Sequence, residues 1–302
     1  MYKEYSVFKA KPIESLKIYK IVTGIITSLI FIISYAYPVF VDISSFDPNQ
    51  GNFIVHIILS QIKMLLAFVI SILIHELGHL FFGLIFSRKF QSIRILGLTF
   101  KKEDGKYRFT KNKSKISVAG QVVTTNYGKY DNAKFILYNL GGLIFEFITL
   151  IILFSTNKAP YLRSITLDLT LMELVPMRYA SGLGGNDIYN VLSLIFSSNI
   201  RSSFKVYEEI DPLYDDVSYS YEDIKKIEDC LLNSGYLFNK HLLYIYYANY
   251  FLKEKEIPQA THYLNLAKSM EADFPDEEKF FYLEEDIERI ENKLVLVEET
   301  ND

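Results

Sequence analysis

The sequence predicts a mainly α-helical protein. Its parts are a polytopic membrane helical domain of about four spans, a small cytoplasmic β-hairpin sheet and a C-terminal helical domain. Three observations lead there. Half of the 302 residues are hydrophobic, and they are bunched into long runs instead of being dispersed. The stretch 87–134 is rich in β-branched and aromatic residues broken by turn-forming clusters. From Arg201 onward, apolar residues recur at three- and four-residue spacing in an acidic context. The expected division is an N-terminal arm over 1–20, a membrane domain over 21–200 that includes the β-rich loop 87–134, and a soluble helical domain over 201–302.

The arm carries Lys3, Lys9, Lys11, Lys17 and Lys20 ahead of the apolar run 21–41. That run has the length of a span and no small-residue cleavage site at its end, so a retained transmembrane helix is expected. Further apolar runs cover 57–86, 135–154 and 165–196, the last interrupted by Pro176, Gly182, Gly184 and Gly185. Gln61 and Lys63 place the first turns of the second run at the interface, with 64–86 as its buried part. The connections set orientation. The arm holds five Lys or Arg, 42–56 holds none, 87–134 holds twelve and 155–164 holds two. Positive charge stays inside, so both termini are expected in the cytosol of a multi-pass cell-membrane protein.

Within 87–134, the runs 91–100, 106–110 and 114–125 are separated by Glu103-Asp104-Gly105 and Lys111-Asn112-Lys113, the pattern of two hairpins. The sheet they form is expected to act as a lid over helix ends or to offer an edge to an extended substrate. After Lys205 there are 24 Asp plus Glu against 9 Lys plus Arg, and four amphipathic helices are expected over 221–232, 241–253, 257–270 and 276–294. Tyr244, Tyr247, Ala248, Phe251, Ala260, Leu264 and Ala267 give the middle pair a resemblance to one tetratricopeptide repeat. A generic helical hairpin packed on its neighbours fits the same pattern. No nucleic-acid motif is present. Cys230 is the single cysteine, which excludes an intramolecular disulfide and a thiolate-rich zinc site.

The chemistry is concentrated in His75-Glu76-Leu77-Gly78-His79, a pentad inside the second apolar run. On a helix, His at i and i+4 share one face, so both imidazoles can reach one zinc ion with Glu76 beside it. Ionisable groups at membrane depth are costly and tend to be functional, and the pentad lies roughly 10 to 17 Å inward from the end of its helix. A catalytic zinc takes three protein ligands and keeps a position for water. His56 is about five turns from His75, and His241 and His262 belong to the C-terminal region, so the third ligand is sought among Glu146, Asp168, Glu173 and Asp187. Asp187 follows Gly184-Gly185-Asn186, an approach that lets a distant helix end come close.

The pentad in a transmembrane helix, the β-rich loop, a further span and an Asp after a Pro/Gly-interrupted segment together resemble the site-2 protease family of intramembrane zinc metalloproteases. That resemblance covers about 57–196. It implies that Asp187, in Asn186-Asp187 after Leu174-Val175-Pro176, is the third ligand, with Ile188 where the family has Gly. It also sets Asn139-Leu140-Gly141-Gly142-Leu143 against the family's Gly-Pro-rich helix start, with Gly142 where Pro is usual. Zinc held by His75, His79 and Asp187 would activate water, and Glu76 would act as general base. Asn186 is expected to cap the helix after it or to orient substrate, and Glu146 and Glu173 to support the ligands or face a watery cavity. Gly78 is assigned packing only. The implied activity is a zinc-dependent endopeptidase acting on membrane-embedded segments, such as signal or pheromone precursors or regulatory single-span proteins, with the lipid bilayer as its medium. Two other classes remain. One is an inactive membrane scaffold whose helical tail recruits a protein partner. The other, a zinc transporter, is disfavoured by the lack of a His-rich loop.

Overall fold

The computed structural model describes residues 13–47, 51–103, 106–111, 120–177, 185–198, 200–202, 204–205, 207–208, 219–233, 237–274 and 283–299. Three helices are long and apolar enough to cross a membrane: α1 (Ile13–Ser44), α2 (Phe53–Ile85) and α3 (Asn132–Thr156). α1 begins inside the expected N-terminal arm. Asn52 caps α2 by accepting from the Ile54 amide, and Asp131 caps α3 by accepting from Ala133 and Lys134.

The helices are inside out relative to a water-soluble bundle. On α2, Leu65, Leu66, Phe81 and Ile85 are exposed, whereas Ser60, Ser71, Glu76, Gly78, His79 and Gly83 are buried. The polar and glycine residues of α2 pack inward beside Met64 and Ile72, while most of its large aliphatics face outward, as expected where lipid replaces water and helix association depends on close approach.

The run 165–196 does not form one span. It divides into α4 (Pro160–Glu173) and α5 (Asp187–Phe196), and the glycines at 182 and 184 lie outside the described residues. At 1.5 Å per residue the two helices measure about 21 and 15 Å, each short of a bilayer core of about 30 Å. Pro160 starts α4 at a position where its missing N–H costs nothing. Tyr161 at that end donates to Asp42 Oδ2 (2.5 Å), which also accepts from Ser60 and from Lys63 Nζ (3.1 Å). This knot ties α1 and α4 to the N-terminal part of α2. Glu173, at the other end of α4, lies near His75 and Asp187, and the chain after α5 returns to Arg88 at the C-terminal end of α2.

The strands β1 (Lys89–Ile95), β2 (Leu98–Glu103), β3 (Lys106–Lys111) and β4 (Gly120–Thr125) form one antiparallel sheet in the order β3-β2-β1-β4. The expected run 91–100 contains an additional turn. Leu96 and Gly97 both have positive φ (48° and 83°), the two-residue geometry that matches strand twist. Residues 114–119 of the expected third run lie outside the described residues. The sheet is also placed differently from a lid over helix ends. β4 runs alongside α2, with Thr124 against Gly83 and Gly120 against Ile72 and Glu76. Ile72 is eleven residues before Gly83, so the edge strand follows the helix for about 16 Å.

The C-terminal helices are α6 (Tyr221–Asn233), α7 (Leu237–Lys253), α8 (Ile257–Ser269) and α9 (Glu284–Glu299). α9 begins later than the pattern suggested, and 275–282 lie outside the described residues. Their core holds Ile224, Leu243, Tyr246, Leu264 and Ile290, and the buried Ala248, Ala260 and Ala267 allow α7 and α8 to approach closely. His241 is buried here: Nε2 accepts the Leu283 amide (3.1 Å), and the ring also bonds the Ala267 backbone. Burial pushes its pKa down to about 4 despite the Ala267 bond, so it is held as a neutral packing residue.

Candidate metal centre

The pentad lies in the C-terminal third of α2, where α3 crosses at backbone contact. A Cβ on Gly78 would sit 2.1 Å from the Gly141 carbonyl oxygen, so any side chain there would push the helices apart. Gly142, one residue on, leaves room for the His75 ring, since a Cβ there would fall 2.4 Å from His75 Cε1. Gly78 thus has the packing role expected of it, and Gly142 shapes the site more directly than the sequence suggested.

Each imidazole is oriented through Nδ1. His75 Nδ1 meets Glu146 Oε1 (3.1 Å) and His79 Nδ1 meets the Tyr138 carbonyl (2.8 Å). A carbonyl or carboxylate only accepts, so both Nδ1 atoms carry the proton, and in the neutral rings both Nε2 atoms present lone pairs. The two Nε2 atoms are 3.1 Å apart, and Asp187 Oδ2 lies 3.1 Å from His75 Nε2 and 3.0 Å from His79 Nε2. With neutral rings three acceptors converge, an arrangement that a metal ion, or a proton on one Nε2 shared with Asp187, relieves. For tetrahedral zinc at about 2.0 to 2.1 Å from each ligand, neighbouring ligand atoms would be about 3.3 Å apart. The observed triangle is within a few tenths of that, so these three residues fit a metal ion with a fourth position open.

The structure thus brings together His75, His79 and Asp187, and among the described residues they are the one group of three or more His, Cys, Asp or Glu ligand atoms within 4.8 Å of one another. Asp187 opens α5, and its amide donates to Glu173 Oε2 (3.2 Å). Glu146 and Glu173 therefore contact His75 and the Asp187 amide and stand outside the triad itself. Asp168 is buried elsewhere on α4, with Oδ1 unpartnered. His56 bonds the Asp42 carbonyl (3.0 Å) at the far end of α2.

Asn186 is fully committed within the protein. Its Oδ1 accepts from Met177 (2.9 Å) and Tyr189 (3.3 Å), and its Nδ2 donates to the carbonyls of Glu173 (3.1 Å) and Val175 (2.8 Å). It caps α5 and pins the break before it, so the substrate-orienting alternative falls away.

Glu76 is 5% exposed and faces β4. The Val122 amide donates to its carboxylate, and a Cβ on Gly120 would meet Glu76 Oε1 at 2.5 Å. Neither strand residue carried a signal in the sequence, because a glycine facing a carboxylate is a property of tertiary packing.

Comparison with family models, with curated proteins and with solved structures gives no match.

Proposed function

We propose that this protein is a membrane-embedded, zinc-dependent endopeptidase of the site-2 protease type, acting on peptide bonds in membrane-held segments. The observation that carries the reading is the convergence of His75 Nε2, His79 Nε2 and Asp187 Oδ2 within 3.1 Å of one another. With both Nδ1 protons committed elsewhere, a divalent cation is the occupant that best relieves that convergence.

A bound zinc ion would supply Lewis acidity, polarising the scissile carbonyl and lowering the pKa of water towards about 7. The chain supplies the rest. The Glu76 carboxylate takes a proton as the water oxygen bonds to the carbonyl carbon. It then returns that proton to the amide nitrogen as the C–N bond breaks. The Val122 amide steadies Glu76, and Gly120 leaves it room. β4 is the edge strand nearest Glu76. The outward backbone groups of that strand are already taken, Val122 by Glu76 and Tyr138 and the Thr124 carbonyl by Arg88, so β4 braces the base.

In this reading α4 and α5 act together as a fourth, broken crossing. Irregular backbone at membrane depth is tolerated where protein surrounds it, and Asn186 satisfies the Glu173 and Val175 carbonyls beside the break. Both termini are then cytosolic, consistent with the basic excess in 87–134. The C-terminal helices form a tetratricopeptide-like module for a protein partner.

The test is cleavage of a single-span peptide by purified protein in lipid nanodiscs, with and without chelator. Cleavage that stops on chelation, returns with zinc and is absent in Glu76→Gln is the expected result. Cleavage unaffected by chelator or by Glu76→Gln would reject the reading.

A further inference from the structure

Segment 198–208 joins α5 to the C-terminal helices and touches both sides. Phe204 packs on Phe135 of α3, with ring centroids 5.3 Å apart, and Tyr207 meets Phe238 of α7 at 6.5 Å. Glu208 reaches back to Arg88, just past the end of α2. Arg88 Nη1 donates to Glu208 Oε2 (2.5 Å) and Nη2 donates to Oε1 (2.9 Å), a two-point ion pair in which both residues are buried.

The other contacts of Arg88 lead towards the metal centre along two short routes. Nε donates to Thr124 Oγ1 (2.7 Å) and Nη2 to the Thr124 carbonyl (2.8 Å), which fixes β4. Two residues along that strand, the Val122 amide holds Glu76. The guanidinium also lies 4.6 Å from the Tyr138 ring centroid, as a cation over an aromatic face. The Tyr138 hydroxyl donates to the Val122 carbonyl (3.3 Å), and its own carbonyl takes the His79 Nδ1 proton (2.8 Å). One side chain therefore anchors both the strand that steadies Glu76 and the residue that orients His79.

We propose that Arg88, neutralised by Glu208, is a positioning residue through which the C-terminal helices set the aim of Glu76 and His79. This deepens the metallopeptidase reading and rests on it. The pair borders a cavity of about 410 Å³, lined also by Lys129, Tyr130 and Lys134.

The experiment compares wild type, Glu208→Gln and the double variant Arg88→Met/Glu208→Met in nanodiscs. It measures kcat and KM on a single-span peptide, zinc affinity by chelator competition, thermal stability, and hydrogen exchange of residues 120–125. Replacing both charges with apolar side chains keeps the volume filled, so the double variant serves if Glu208→Gln does not fold. The expected result in folded, zinc-loaded variants is a kcat lower by about 10- to 100-fold, KM within about twofold, and faster exchange over 120–125. A folded double variant with wild-type kcat and wild-type exchange would make the pair a simple staple and overturn the proposal. So would a kcat loss that only tracks lost folding or lost zinc. If the wild type cleaves nothing, the metallopeptidase reading fails, and unchanged exchange in the variants would separately reject the coupling.

Discussion

Two glycines face the centre from opposite sides, and alanine at each should disable a different half of the chemistry. A Cβ on Gly142 would lie 2.4 Å from His75 Cε1 and 2.5 Å from Nε2, against an ordinary contact of about 3.5 Å, so the ring must move by roughly 1 Å. The ring cannot simply swing aside, because Nδ1 is held by Glu146. Metal–ligand distances tolerate about 0.2 Å, so Gly142→Ala should weaken zinc binding by at least about 10- to 100-fold. A Cβ on Gly120 would instead lie 2.5 Å from Glu76 Oε1, the flexible end of a side chain that is no metal ligand. Gly120→Ala should therefore keep zinc while displacing the base, and a misplacement near 1 Å costs about 100-fold in turnover. The assay is zinc affinity by chelator competition together with kcat on a membrane peptide, for both variants. Loss of zinc in Gly120→Ala with retention in Gly142→Ala would refute the placement of both residues.

Other outcomes follow from single contacts. Asp187→Ala should lose zinc by metal analysis, because two imidazoles hold the ion poorly, whereas Asp168→Asn should stay loaded. The C-terminal helices should be most stable above about pH 6.5. Below it the unfolded state takes a proton that folded His241, with its pKa near 4, refuses, so the His241 contribution falls as pH drops and is fully lost near pH 4. The loss is about 3 kcal/mol, visible as faster hydrogen exchange in α7 and absent in His241→Gln. A membrane-impermeant thiol reagent should label Cys230 only after cells are opened, and labelling of intact cells would reverse the topology.

The helices α1 to α3 were legible because helices apolar enough to cross a membrane leave uninterrupted apolar runs, and the pentad because its spacing matches one helix face. The Gly-rich break pointed to Asp187 for the same kind of local reason. Glu146, Glu173 and Asp168 look alike in sequence, each an acid in an apolar helix. Only packing separates the carboxylate on His75 from the one on the Asp187 amide and from the one that meets neither. The turn at Leu96–Gly97 was missed because a leucine with φ of 48° is an unusual turn residue. Arg88 was one of twelve basic residues in its loop, and its partner is 120 positions away, so no periodicity could have paired them.

Metal coordination tests the central claim most directly. Zinc K-edge X-ray absorption on the purified full-length protein should show one zinc per chain, with two imidazole nitrogens and about two oxygens at roughly 2.0 to 2.1 Å. The imidazole signature should be lost in a His75→Ala/His79→Ala variant. Protein that takes up no zinc, or binds it unchanged after both imidazoles are removed, would contradict the assignment of His75, His79 and Asp187 as the metal centre.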